Sequence, residues 1–428
     1  MERSRLRRWW LAALLAVVLG GARAFAEPPP DPKAAGLTRD GVARLSALLD
    51  DAAEKKQVAG AVGLVSRHGK LCFLQAVGRQ DAEAKTSMAS NTLFRIASMT
   101  KPITSVAAMM LVEDGKLRLD DPVSKYVPEF KGQKVLAAGK EPVPAQREVT
   151  VRDLLTHTSG ITYRFRGGDL GGLYAAAGIT DGLSPSEGTI ADNVKKIAAQ
   201  PLLFQPGTAW EYGLNTDVLG RVIEVASGKD LDTFFRERIF KPLGMGDTSF
   251  FPPKDQLSRL AALYTVNADK SLKRVGEEPV TAGALVYAAN YPYKGSKKYY
   301  SGGAGLVSTA EDYARFLQML LDGGESGGKR LLKAETVKEM TRNHIGDKKM
   351  WITEHGDGFG YGFGVESGKG KGPASAGTYS WGGIFNTYFF VDPNKEVVAV
   401  LMTQLYPSDH LTIRADFEKR VYEALAEE

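Results

Sequence analysis

The sequence predicts an α/β protein of the α+β kind: one antiparallel sheet flanked by helices, with a mainly helical part inserted between its two halves. Three observations predict it. Strand-like apolar runs lie near the N-terminus and again near the C-terminus, the stretch between them is helical in pattern, and 428 residues suffice for a large core. The sheet part is expected over about residues 37–97 and 300–428 and the helical part over about 98–299, with the active site in the cleft between them. The composition, 43% hydrophobic and 25% charged, is that of an ordinary globular protein.

The first element is an export signal. Arg3, Arg5, Arg7 and Arg8 precede the apolar run Trp9 to Leu19, and Ala24-Phe25-Ala26 makes an A-x-A site before Glu27-Pro28-Pro29-Pro30. Cleavage is expected after Ala26, giving an exported, periplasmic or secreted chain. A membrane anchor is the competing reading, but the run is short for a bilayer, so no stable membrane insertion is expected after removal. The Arg7-Arg8 pair leaves a twin-arginine route open beside the general one. Removal of residues 1–26 takes five arginines and one glutamate, which lowers the formal charge from +5 to +1. The basicity therefore belongs to the signal, and nothing in the remainder calls for nucleic acid. Cys72 lies in an apolar run and is expected in the core; as a lone cysteine it forms no internal disulfide.

Thr38 is placed to cap a helix carrying Val42, Leu45, Leu48 and Leu49 at helical spacing. Two strands follow, Ala61 to Val65 and Leu71 to Val77, flanking a turn at residues 66–70. Ile103 to Leu111 reads as a buried helix ending at Asp114-Gly115. The glycine-rich stretch Gly167 to Gly188 is long enough for a lid or pocket wall. Thr309 and Asp312 open a helix with Tyr313, Phe316, Leu317, Leu320 and Leu321 on one face, closed by Gly323-Gly324. Strands are expected from Phe385 to Val391 and from Glu396 to Met402, joined at Asp392-Pro393-Asn394-Lys395. A last helix starts at about Asp409, with Ile413, Phe417, Val421 and Leu425 on one face.

Ser98-Met99-Thr100-Lys101 carries the chemistry. Residues at i and i+3 share a helix face, so the Lys101 amine reaches Ser98 Oγ as a base reaches a nucleophile. Pro102 confines Ser98 to the helix N-terminus, where free N–H groups favour a developing anion, and it is expected to push Lys101 out of the α region. Two further stretches offer partners: Gln205 to Tyr212, a loop ending on a tyrosine, and Tyr379-Ser380-Trp381-Gly382-Gly383-Ile384, whose glycine pair lets a substrate approach the backbone.

Taken together, Ser98-x-x-Lys101, Tyr212 in a Pro-Gly-x-x-x-x-Tyr context and Trp381-Gly382-Gly383 resemble the class C β-lactamase-like serine hydrolases, and among them the family VIII carboxylesterases. The stretches Leu154 to Gly160 and Gly302-Gly303-Ala304-Gly305-Leu306 support the resemblance. It implies a β-lactamase/penicillin-binding-protein-like fold and an acyl-enzyme on Ser98. Lys101 and Tyr212 would share the base role, with Tyr212 protonating the leaving alkoxide and then activating water. The oxyanion hole would be the backbone N–H groups of Ser98 and Ile384. Free lysine and tyrosine titrate near about 10, so the pair works at neutral pH only if its surroundings lower one of them.

Departures from the β-lactamase pattern bear on substrate choice. Tyr-x-Asn becomes Tyr212-Gly213-Leu214, with Asn215 next door, and Lys-Thr-Gly becomes Trp381-Gly382-Gly383. Loss of that lysine removes a charge-assisted contact of about 1.5–3 kcal/mol to a substrate carboxylate. Trp381, Gly382, Gly383, Leu214 and Asn215 are thus the expected substrate-binding residues, and the substrate a small uncharged ester. A cephalosporin-hydrolysing β-lactamase, a D-amino-acid peptidase and a non-catalytic envelope binding protein are the alternatives. Neither cofactor nor metal is expected: His68, His157, His344, His355 and His410 show no ligand spacing. His157 is the best histidine for a competing Ser-His-Asp arrangement, and otherwise holds its loop. Gly324-Glu325-Ser326-Gly327-Gly328 matches a nucleophile-elbow string but follows a helix, so it reads as a surface turn. Tyr163, Phe165 and Tyr174 are candidates for an acyl pocket.

Overall fold

In the computed structural model, residues 36–137, 139–352, 354–369 and 372–426 are described, and the expected export signal lies outside them. Helix α1 (Arg39–Glu54) begins where Thr38 Oγ1 accepts the Gly41 N–H at 3.0 Å, and it buries Leu45, Leu49 and Ala52. Strands β1 (Gly60–Arg67) and β2 (Lys70–Asp81) follow. Their turn is tighter than the sequence suggests: His68 and Gly69 both take positive φ, 50° and 69°, as a two-residue type I′ hairpin requires. Strand β3 (Thr86–Ser87) completes this edge.

The sheet draws its remaining strands from the other end of the chain: β4 (Gly358–Phe359), β5 (Gly364–Val365), β6 (Tyr379–Gly383), β7 (Thr387–Asp392) and β8 (Val397–Met402). Its order is β4-β5-β6-β7-β8-β1-β2-β3, and the two chain ends join through the antiparallel β1–β8 ladder, with Leu64 opposite Val400. Both faces are covered. Val62, Leu64, Phe389, Val398 and Val400 point into the larger core shared with helices α2 (Thr100–Glu113) and α4 (Ala310–Leu321). Ala61, Val65, Phe390, Ala399 and Leu401 pack with α1 and the last helix, α5 (Ile413–Ala424). Runs of apolar residues on both faces of these strands follow from this double burial, while the period of two still sorts them between the cores.

Between the two sheet segments, helix α3 (Asn215–Ser227) packs beside α2 in the larger core. Among the described residues this region also holds two-stranded ribbons pairing residues 134–137 with 140–144, 264–266 with 272–274, 280–282 with 285–287 and 325–326 with 329–330, and a short pair joining 94–95 to 307–308. The glycine-rich stretch contains a helix, Gly168–Ala176, that turn-forming composition concealed. The strand expected from Phe385 starts only at Thr387; Trp381-Gly382-Gly383 is itself strand, and Ile384-Phe385-Asn386 form the hairpin loop, Asn386 with φ 67°. Ser326 lies in a surface hairpin, as expected of a turn. Among the described residues no helix is long and apolar enough to cross a membrane.

Leu64 has no exposed surface at the centre of the seam between the chain ends. Leu64→Ala is expected to lower the unfolding free energy by about 2–5 kcal/mol, read from denaturant titration.

Candidate active site

The site is built on a strained turn. Arg95, fully enclosed, donates from Nε to Ala289 O at 2.8 Å and from Nη1 to Ala261 O at 2.7 Å, which anchors the chain just before the reactive serine. Ala97 then takes φ 42°, a left-handed conformation that costs a non-glycine residue about 1–2 kcal/mol. A single 3₁₀ turn, Ala97–Met99, leads into α2. The irregularity expected at Lys101 falls here instead; Lys101 itself is helical and Pro102 sits in the first turn of α2, where its missing N–H is tolerated. The turn leaves Ser98 partly exposed while Ala97 and Met99 are buried.

Lys101 has no exposed surface, and its Nζ lies 3.1 Å from Ser98 Oγ and 2.7 Å from the carbonyl of Gly303. Burial pulls its pKa down to about 7, opposed by the nearby Asp217 carboxylate. Asp217, on α3, is equally enclosed; burial holds its own pKa above the usual carboxylate range, and Tyr299 donates to its Oδ1 at 3.2 Å. Gly303 has to be glycine: a Cβ there would sit 2.5 Å from Asp217 Oδ2 and 3.6 Å from Lys101 Nζ. This is the physical content of the Gly302-Gly303 pair.

Tyr212 lies across the opening. The Lys101 amine stands 4.6 Å from its ring centroid, and the Trp381 indole N–H donates to its hydroxyl at 3.0 Å. Burial pushes the phenol well above its ordinary pKa, partly offset by hydrogen bonding with Ser98 and Trp381. The loop carrying Tyr212 is held by His157, whose Nδ1 accepts the Gly213 N–H at 3.3 Å and lies 2.9 Å from Asn215 Nδ2. Burial keeps His157 neutral, with its pKa well below the usual value, as an accepting Nδ1 requires. It is thus a loop-holding histidine and not a partner of Ser98.

Ser98, Tyr212, Trp381, Gly382, Gly383 and Ile384 share the wall of one cavity of about 260 Å³. Tyr163 and Phe165, stacked 4.7 Å apart, line it with Leu183, whereas Tyr174 is core. Two expected substrate contacts are corrected. Leu214 and Asn215 have no exposed surface and stay outside this wall, because Leu214 packs in the core and the Asn215 amide is taken up by His157 and Ser159. Nor is the wall free of cations. Arg414, from α5, lines it together with Asp181, Glu354 and Asp409. These four and Asp217 escaped the sequence reading, since no local pattern brings α3, α5 and the loop before Ile190 to Ser98.

Residues 45–422 match the model of the β-lactamase family. The chain belongs to that family. It is 35% identical over 371 residues to Esterase EstB of Burkholderia gladioli, an alignment covering 84% of this chain and 90% of that protein. Among solved structures it is similar to EstCE1, described as a hydrolase with promiscuous acyltransferase activity (TM-score 0.79, 30% identity, 90% of this chain and 99% of that one). It is also similar to simvastatin synthase (LovD) from Aspergillus terreus (TM-score 0.71, 25% identity, 90% and 98%). The β-lactamase-like fold expected from the spaced motifs is the one observed.

In this β-lactamase-family site the Asp217 charge favours the ammonium form of Lys101. Asp217→Asn should therefore lower the Lys101 pKa and move the rising limb of the kcat/KM–pH profile to lower pH, measured on a neutral ester. Gly303→Ala should reduce kcat by at least about tenfold, because the added methyl displaces the Asp217 carboxylate, 2.5 Å away, and with it the charge that faces the Lys101 amine; steady-state kinetics on the same ester checks it.

Proposed function

We propose that the protein is an exported serine carboxylesterase that hydrolyses short-chain carboxylic esters through an acyl-enzyme on Ser98. One observation carries the reading: a buried amine 3.1 Å from a partly exposed serine hydroxyl that opens on a small cavity. The similarity to Esterase EstB and to EstCE1 supports the coarser class, a serine hydrolase of the esterase or acyl-transfer kind.

The pKa directions divide the labour between the two bases. Lys101, its pKa pulled down by removal from water, takes the Ser98 proton as Oγ attacks the ester carbonyl. Tyr212, its phenol held protonated, gives its proton to the departing alkoxide and recovers one from Lys101. The N–H groups of Ser98 and Ile384 hold the oxyanion. Water then attacks the acyl-enzyme, surrendering a proton to the same pair, which passes it to Ser98 Oγ as the acyl–oxygen bond breaks and the carboxylic acid leaves. Because Lys101 and Asp217 are both enclosed and shift one another, the rising limb of a pH–rate profile would belong to that pair.

Substrate size and charge follow from the wall. About 260 Å³ is below the roughly 300–1,000 Å³ of pockets for drug-sized ligands, which supports a short acyl chain. The carboxyl groups of Glu354 and Asp409 outnumber the guanidinium of Arg414, and Asp181, its pKa raised to about 7 by burial, adds to them only in part, so an anionic substrate is disfavoured at this wall. A β-lactam or a D-amino-acid peptide, each carrying a carboxylate, is the poorer substrate. Export is proposed from the N-terminal Arg-rich and apolar pattern.

An ester panel of increasing acyl length, run beside nitrocefin and a D-Ala-D-Ala peptide, tests the reading. p-Nitrophenyl butyrate should give the highest kcat/KM, and higher values on the latter two would overturn it. Ser98→Ala and Lys101→Ala should abolish turnover, and Tyr212→Phe should lower kcat by about 10²-fold or more. An unchanged rate in Tyr212→Phe would remove its proton-transfer role.

A further inference from the structure

Arg414 occupies a position that its helix does not favour. It is the second residue of α5, where the macrodipole disfavours a cation by about 0.3–1 kcal/mol. Its side chain is only 20% exposed, and burial works against its charge. A guanidinium placed so needs a strong partner, and the carboxylates nearby do not supply one. Nη1 is 3.7 Å from Glu354 Oε1, beyond hydrogen-bond range, and Glu354 is 63% exposed. Nε is buried without a partner. The close contact is with a main-chain carbonyl: Nη2 donates to Gly383 O at 2.6 Å, the short distance of a charge-assisted bond. The guanidinium lies flat enough on this strand that a Cβ at Gly382 would meet Nη1 at 3.1 Å and Cζ at 3.3 Å.

The carbonyl of Gly383 and the N–H of Ile384 belong to one planar, trans peptide, in which the two groups point in opposite directions. We propose that Arg414 is a positioning residue that pins and polarises the Gly383–Ile384 peptide, so that the Ile384 N–H is aimed at the oxyanion and strengthened as a donor. This rests on the acyl-enzyme reading above, in which Ile384 contributes that donor. The Asn386 N–H, 3.0 Å from the same oxygen, closes the hairpin loop and supplies a neutral second bond, while Arg414 supplies the charge. Drawing electron density toward the carbonyl oxygen makes the N–H on the other side of the peptide a better donor. The device needs glycine at 383 as well, since a Cβ there would stand 2.4 Å from Ile96 O and 2.3 Å from Thr387 Oγ1. It also makes α5, remote from Ser98 in sequence, part of the catalytic apparatus.

Steady-state kinetics of Arg414→Ala on p-nitrophenyl butyrate tests this, with a boronic acid as transition-state analogue and thermal melting to confirm folding. Expected are a kcat loss of about tenfold to a hundredfold, below the roughly 10²–10³ for deleting an oxyanion donor outright, and a KM within about twofold of wild type. Affinity for the boronic acid should fall in parallel, Arg414→Lys should recover part of kcat, and millimolar guanidinium should partly rescue Arg414→Ala. A raised KM with kcat retained would mean that Arg414 grips substrate directly, and it would overturn the proposal, as would unchanged boronic acid affinity. Should Arg414→Ala not fold, Arg414→Gln carries the test, since it keeps an N–H donor without the charge; wild-type kcat in that variant overturns the polarising role. Failure of a fluorophosphonate to label Ser98 in the wild type removes the acyl-enzyme reading and this inference with it. Labelling combined with either contrary Arg414 result removes this inference alone.

Discussion

The amine of Lys101 is shut away from water, and the rest of the site is arranged around that burial. An exposed lysine near neutral pH is an ammonium and cannot take a proton from serine. Removal from water makes the charged form costly, while the Gly303 carbonyl and the Tyr212 ring that face the amine recover only part of that cost. Full enclosure without a counter-charge would drive the group to permanent neutrality, and Asp217 moderates this by raising the lysine pKa again. Two buried groups of opposite preference thus set one proton affinity, and neither could be changed without moving the other.

Room for this arrangement is made by leaving side chains out. Gly303 admits the Lys101 amine and Asp217, Gly302 the Thr216 carbonyl, and the glycines at 382 and 383 admit the guanidinium on one side and the turn before Ser98 on the other. Trp381 adds a different economy. Where related hydrolases have a cation, its indole N–H bonds the Tyr212 hydroxyl while its ring stacks near His355 and Phe359. A neutral donor leaves the phenol protonated, which suits an acid toward a leaving alkoxide and withdraws an anchor for a substrate carboxylate.

Much of this was legible in the chain itself, for identifiable reasons. Ser98 and Lys101 are three residues apart on one helix, so local geometry alone joins them; Thr38 and Thr309 mark helix starts because capping is also local. The strands at the two ends of the chain were read from local apolar runs bounded by turn residues. Asp217, Asp181 and Arg414 were missed because their meaning lies in contacts with other elements that no local pattern encodes, and Asn215 was misassigned because its side chain turns inward to His157. The helix inside the glycine-rich stretch was hidden by composition. Its short run, Gly168–Ala176, is sustained by packing of Leu170 and Tyr174 and not by propensity.

The nucleophile turn is suspended between the two parts of the molecule, and this bears on how activity relates to stability. Thr387 Oγ1, on β7, reaches Ile96 O at 3.4 Å from the sheet side; Tyr313, on α4, donates to Met99 O at 2.8 Å; and Thr100 Oγ1 accepts the Leu306 N–H at 3.2 Å. Each contact joins residues about 200 or more apart, so the strain at Ala97 is sustained only when both parts are fully packed. The placing of a serine beside a lysine that is its neighbour in sequence therefore depends on long-range order. Loosening either layer would return Ala97 to an ordinary conformation, admit water to Lys101 and restore its charge, silencing the site well before the sheet itself came apart.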